Sequence, residues 1–210
     1  MVAPRLVYIS NTTELGTVYT REELRALRRC CDELGLYLYC DGARLGSAMD
    51  AGGTSFADYA EACGAFTIGG TKNGLLFGEA LVIVNPALRP GFRNCMKQQG
   101  AMLAKGRLLG VQFEAFLEGG LFLEIGRQEV AQAMRLRRAF EEKGFPLYVP
   151  SPTNQQFIVL PNACLDVLAE KYSFEVTDQV DTEHTAVRFC TSWSTTDGDV
   201  DALIADIQRL

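Results

Sequence analysis

The hydrophobic pattern opens with a short apolar run in "RLVYIS" (5–10), rich in β-branched and aromatic side chains, which gives way to the polar, glycine-containing "NTTELGTVY". That contrast predicts a strand followed by a loop. The period then changes. Leu24, Leu27, Cys31 and Leu34 recur at helical spacing, Thr20 and Glu23 stand three apart as a capping box, and Gly35 marks the stop. "LYLYC" (36–40) restarts as a strand. Strand, helix and strand with tight connections make a βαβ unit, which predicts two parallel strands in a sheet covered on both faces.

Further strands are expected at "AFTIGG" (65–70) and "ALVIVN" (80–85), with Lys72 in the glycine-rich turn between them. From Phe92 the pattern predicts long helices, one running to Glu118 and a second through "EIGRQEVAQAMRLRRAFEEKG", closed by Gly144. Beyond Gly144 the order is strand ("FPLYVP"), strand ("QQFIVLP"), helix ("ACLDVLAEKY"), strand ("TAVRFCT") and a last helix whose Val200, Leu203, Ile207 and Leu210 share a face. This alternation predicts a small α+β domain. The expected division is an α/β domain over 1–120, then a connecting helix and the small domain over 121–210.

Composition narrows the function classes. A chain of 210 residues at 48% hydrophobic can bury a sizeable core. Its 26 acids against 20 bases give a net charge of −6 without blocks of one sign, so nothing favours nucleic acid as a partner. No apolar stretch approaches the roughly 20 residues that span a bilayer, and "MVAPRLVYIS" lacks the parts of a signal sequence. No membrane partner and a cytoplasmic location are therefore expected. Seven cysteines lie mostly in apolar runs with no Cys-x-x-Cys spacing, which reads as reduced core residues. The one histidine, His184 in "DTEHTA", reads as a surface residue, and a catalytic triad or multi-histidine metal site is hard to build from it.

Four positions stand out chemically. Asp41 sits at the carboxyl end of a strand, where ligands bind in open α/β sheets. It suits either a local turn, as a cap or Asx-turn residue, or the anion that holds a proton on a pyridine nitrogen. Lys72, flanked by Gly69, Gly70 and Gly74, suits either a solvated turn or a Schiff-base lysine whose backbone must approach a bulky cofactor. Arg44 follows Asp41 by three residues and is either a surface arginine at a helix start or a group in the same crevice. Arg188 alternates with Val187 and Phe189, so it points to the opposite face of its strand, toward either solvent or a cleft where it could grip a carboxylate.

With those residues named, "YISNTTELGTVYT", "LYCDGARLGSA", "GGTKNG", "MKQQGAMLAKGRLLG", "SPTNQQF" and "VRFCTSW", in that order, resemble the low-specificity threonine aldolase and aromatic amino acid β-eliminating lyase family. The resemblance covers nearly the whole chain. It implies the aspartate-aminotransferase-like fold (type I) of pyridoxal 5′-phosphate enzymes, here as the C-terminal part of the large α/β domain plus the small C-terminal α+β domain. It implies Lys72 as the Schiff-base lysine, Asp41 as partner of the pyridine nitrogen, Arg44 beside the ring and the substrate carboxylate, and Arg188 as the main carboxylate clamp. Lys97 falls where the family places a basic residue reaching the cofactor phosphate of a neighbouring subunit.

The implied reaction is cleavage of β-hydroxy-α-amino acids of the threonine type to glycine and an aldehyde. A β-eliminating amino acid lyase and an inactive remnant of the fold are the alternatives. Family members carry a Gly-Thr phosphate loop, a serine and a ring-stacking histidine upstream of the matching motifs, and this chain is expected to start downstream of all three. The family habit of sharing sites between subunits, together with the strand edges such a start would uncover, leads to the expectation of a homo-oligomer, dimer or tetramer.

Overall fold

The computed structural model describes residues 3–210. Its first half is built from β1 (Leu6–Ser10), α1 (Arg21–Leu34), β2 (Tyr37–Asp41), α2 (Leu45–Gly52), α3 (Phe56–Ala62), β3 (Ala65–Gly69) and β4 (Glu79–Ile83). The strands form one sheet in the order β1-β2-β3-β4, with β1, β2 and β3 parallel and β4 antiparallel to β3. The start and stop of α1 follow from its sequence: Thr20 and Glu23 close a capping box, and Gly35 takes the left-handed conformation at φ 65°.

The expected coverage of this sheet on both faces is not met. Ile9, Leu38, Cys40, Phe66 and Ile68 pack into a buried core with Leu24 and Cys31 of α1 and Tyr59 of α3. Side chains alternate along a strand, so Leu6, Tyr8 and Leu81 turn to the other face, where they remain 52%, 56% and 38% exposed. Among the described residues nothing covers that side as the helices cover the first.

The helix expected over 92–118 is two helices, α4 (Phe92–Gln98) and α5 (Arg107–Leu117). Gly100 at φ 73° and the segment through Gly106 interrupt the ladder between them, as glycine does when the chain must turn. The second long helix forms as expected, as α6 (Leu121–Glu142).

The second sheet runs β5-β6-β8-β7 and is wholly antiparallel. It contains β5 (Leu147–Val149), β6 (Gln155–Pro161), β7 (Glu175–Gln179) and β8 (His184–Cys190), with α7 (Asn162–Ala169) and α8 (Asp197–Ile207). Ile158, Leu160, Val187 and Phe189 face a core completed by Leu136 and Phe140 of α6, Leu165 and Leu168 of α7, and Val200, Leu203 and Ile207 of α8. One helix thus serves two cores, since Phe122 and Ile125 near the start of α6 pack with the first.

Cys31, Cys40 and Cys63 are buried as expected, but Cys30, Cys95 and Cys190 are exposed, and all seven are free thiols. No described helix is long and apolar enough to cross a membrane.

Candidate functional site

Asp41 ends β2 and does two things there. Its Oδ1 accepts from the backbone N–H of Ala43 at 2.9 Å, an Asx turn that shapes the exit from the strand. Its Oδ2 accepts from the hydroxyl of Tyr8, its neighbour across the parallel pair. The hydrogen bond to Asp41 pushes the Tyr8 hydroxyl up to about 12, as expected when a phenol's proton is held by a carboxylate. Asp41 thus makes an Asx turn with one oxygen, and its second oxygen is directed to the open face of the sheet, where Tyr8 and Tyr39 lie with ring centroids 5.4 Å apart.

Lys72 lies in a 3₁₀ turn, Thr71–Asn73, immediately after β3, and its side chain is exposed. The glycines around it have a reason within the protein itself. A Cβ on Gly69 would come within 2.5 Å of the Ala43 carbonyl oxygen, and one on Gly70 within 2.4 Å of the Gly78 oxygen. Gly74 is required by its φ of 107°. The glycines thus allow protein backbone to close in. The result is a knot of two loops. The N–H of Gly69 donates to the Gly42 oxygen at 3.0 Å, and the buried Asn73 amide donates to Ala43 O at 3.1 Å and Gly69 O at 2.8 Å. Asp41, Arg44 and Lys72 are thereby fixed on adjoining loops at the carboxyl ends of β2 and β3.

Arg44 is half-buried and precedes α2 without capping it by its side chain. It faces Glu129 of α6, which sequence reasoning missed. Glu129 is 1% exposed, accepts from the Ser47 hydroxyl at 2.8 Å, and has no partner for Oε1. Burial pushes its carboxyl up to about 7, while Ser47, Arg44 and the backbone N–H of Trp193 pull the other way. The signal was its position on the apolar stripe of α6, three residues beyond Gly126 and four before Ala133, where a carboxylate has no place in a simple core.

Arg188 does turn away from Val187 and Phe189 on β8. One terminal nitrogen, Nη1, donates to Oε1 of Gln155 at 2.9 Å, and Nη2 pairs with Glu175 on β7. Gln155 in turn reaches the loop after β1, donating to Thr12 Oγ1 at 3.1 Å and Thr13 O at 3.4 Å. The neighbouring Asn11 N–H donates to the Asp41 carbonyl at 3.0 Å. A continuous hydrogen-bonded path therefore joins the Arg188 strand to the Asp41 strand. Lys97 is exposed on α4, and its side chain makes no hydrogen bond or ion pair among the described residues. His184 is partly exposed beside Asp181, and no cluster that could hold a metal ion occurs among the described residues.

An amine, a carboxylate and a guanidinium on adjoining loops at the carboxyl ends of parallel strands, with a second guanidinium, Arg188, tied to them through Gln155 and the loop after β1, form a donor set suited to an aldehyde cofactor with a basic ring nitrogen and a substrate carboxylate.

A family model described as beta-eliminating lyase matches residues 1–163. The low-specificity L-threonine aldolase of Pseudomonas sp. (strain NCIMB 10558) is 33% identical over 214 aligned positions, covering 99% of this chain and 60% of the relative. The protein of that name in Saccharomyces cerevisiae is 32% identical over 80% of this chain and 43% of its own length. A solved structure titled as the threonine aldolase of Leishmania major superposes with a TM-score of 0.97 at 42% identity, over 100% of this chain and 62% of that one. An aspartate aminotransferase from Thermotoga maritima superposes at 0.68 with 14% identity, which shows the shared fold. The chain spans about 60% of the length of the curated bacterial relatives it matches.

Proposed function

Because the chain belongs to the beta-eliminating lyase family, with the aspartate-aminotransferase-like fold, we propose that it is part of a pyridoxal-phosphate-dependent lyase that cleaves threonine-type β-hydroxy-α-amino acids to glycine and an aldehyde. The observation that supports this reading is the knot of the 41–44 and 69–73 loops, the two adjoining loops that carry Asp41, Arg44 and Lys72. The names of the relatives support the substrate class.

When bound, pyridoxal phosphate supplies an electron sink for bonds breaking at the substrate's α-carbon. Lys72 Nζ would hold the cofactor covalently, and its exposed position on a turn leaves the amine free to do so. Asp41 Oδ2 would keep a proton on the ring nitrogen, an acceptor role it already performs for the Tyr8 hydroxyl. Arg188, with Arg44, would fix the substrate carboxylate and so decide which α-carbon bond is presented for cleavage. In the retro-aldol direction the Cα–Cβ bond breaks, the β-hydroxyl gives up its proton and becomes the aldehyde carbonyl, and the α-carbon keeps the electron pair and takes a proton to give glycine.

Borohydride reduction of the cofactor-treated protein followed by peptide mapping tests the site. The adduct is expected on Lys72, and scatter over surface lysines would overturn the assignment. The family description also keeps β-elimination in view, and product assay separates the two: glycine with an aldehyde, or a keto acid with ammonia.

The divide at 1–120 and 121–210 is read as the large and small units of the fold. We read the protein as a cytoplasmic homo-oligomer, supported by the open sheet face at Leu6, Tyr8 and Leu81 and by Lys97, which is free to reach a neighbouring subunit. Light scattering that finds a monomer at micromolar concentration would count against it.

A further inference from the structure

Gln155 is fully buried, yet every polar atom of its side chain is committed across a boundary between elements. An arginine can only donate hydrogen bonds, so the atom facing Arg188 must be the amide oxygen, and this fixes the amide nitrogen on Thr12 and Thr13. The amide cannot flip without placing two donors against each other. Arg188 is thus held on one side by a neutral, buried partner and on the other by Glu175, whose side chain is 66% exposed. A carboxylate arriving from solvent can take the place of Glu175 on Nη2, because like replaces like at an exposed position. It cannot replace Gln155.

Resting on the reading of Arg188 as carboxylate clamp, we propose that Gln155 is the positioning residue of that clamp: it sets the plane of the Arg188 guanidinium against the loop that follows β1, leaving Nη2 as the exchangeable edge on which Glu175 stands where a substrate carboxylate would bind.

The arrangement has a functional consequence. The loop after β1 is tied to the Asp41 carbonyl through Asn11, so the distance between the group that binds the substrate's carboxylate and the group that serves the ring nitrogen is set by one side chain. A lost hydrogen bond at Gln155 should therefore impair binding of carboxylate-bearing ligands while sparing simple amines.

The test uses the complete protein loaded with pyridoxal phosphate and titrated with glycine and with methylamine, followed by the cofactor's absorbance. Arg188→Lys should cut the preference for glycine over methylamine about tenfold or more, the expected cost of losing a bidentate grip. Gln155→Met should cut the same preference about tenfold with methylamine affinity unchanged, and Glu175→Gln should raise glycine affinity a few-fold. Should Gln155→Met fail to fold, Thr12→Val removes the other anchor of the amide and should reduce the preference about threefold. In the cofactor-free protein, the Arg188 Nη1 protons in ¹⁵N NMR should be protected from exchange and lose that protection in Gln155→Met.

If Arg188→Lys lowers the preference while Gln155→Met weakens both ligands equally or neither, the clamp stands and the positioning role is overturned. If Arg188→Lys leaves the preference intact, the clamp reading itself falls, and the inference with it.

Discussion

The two sheets carry their chemistry in opposite ways. In the first, the groups of interest sit on loops: Asp41 and Lys72 project from the ends of parallel strands, and what is rigid is the backbone beneath them, pinned by Gly69, Asn73 and Ala43. In the second, Arg188 sits within a strand of fixed antiparallel register, and what holds it is other side chains. Parallel strand ends naturally converge on one edge and leave their tips accessible. A strand interior offers no free tip, so an arginine there needs partners to aim it. The lesson is that one group is left free at a strand tip while another is held still by its neighbours.

Three substitutions probe that contrast. The largest effect is expected at Asp41. Asp41→Ala should lower turnover on the order of 10³-fold while cofactor and substrate affinities fall less than about tenfold, because the role is felt in bond cleavage more than in binding. Equal losses in kcat and affinity would contradict the ring-nitrogen role.

Gly69→Ala comes next, as a test of the loop knot. The added methyl would lie 2.5 Å from the Ala43 oxygen, and both neighbours are backbone, so about 3 kcal/mol of stability should be lost, measured by denaturant unfolding. A variant as stable as the parent would show that the two loops can part freely.

The smallest effect concerns Glu129. Its carboxyl is raised from the ordinary 4.5 to about 7 in the folded chain, so the folded state prefers the protonated form. That contribution is complete below about pH 4.5 and is lost as pH rises through about 7. Glu129→Gln keeps the neutral form at every pH. It should match the parent in acid and exceed it above pH 7 by on the order of 1 to 3 kcal/mol. A stability profile parallel to the parent's from pH 4 to 8 would exclude the buried, protonated state beside Ser47 and Arg44.

Much of the fold could be read from the sequence where local signals agree with tertiary ones. The Thr20–Glu23 box and Gly35 bounded α1, and the alternation around Arg188 gave its direction correctly. The misses have physical causes. The short helices α2 and α3 sit in or beside glycine-containing sequence and pack against α6 and α1; the Ser55–Asp58 capping box was the one local signal, and it marked only the start of α3. β7 is exposed at every position, so it lacks the apolar alternation that marks a strand. The break between α4 and α5 hides in "GAMLAKG", where the apolar spacing runs on while the glycines stop the backbone. At the site, Asp41, Arg44, Lys72 and Arg188 stood out as charges among apolar runs. Glu129 carried only the weak signal of its place on the apolar stripe of α6, and Gln155, in a polar-looking stretch, reveals its burial only in three dimensions.

The helix α6 is 22 residues long, about 33 Å from end to end, and it gives its first turns to one core and its last to the other. A cut at Gly119–Gly120, the most inviting place to sever the chain, would take Phe122 and Ile125 away from the first core and leave the N-terminal piece with a hole where two large side chains had been. The two halves are in this sense not separable modules joined by a tether, and a protease or a gene fusion that treats them as such would ruin the piece it meant to liberate.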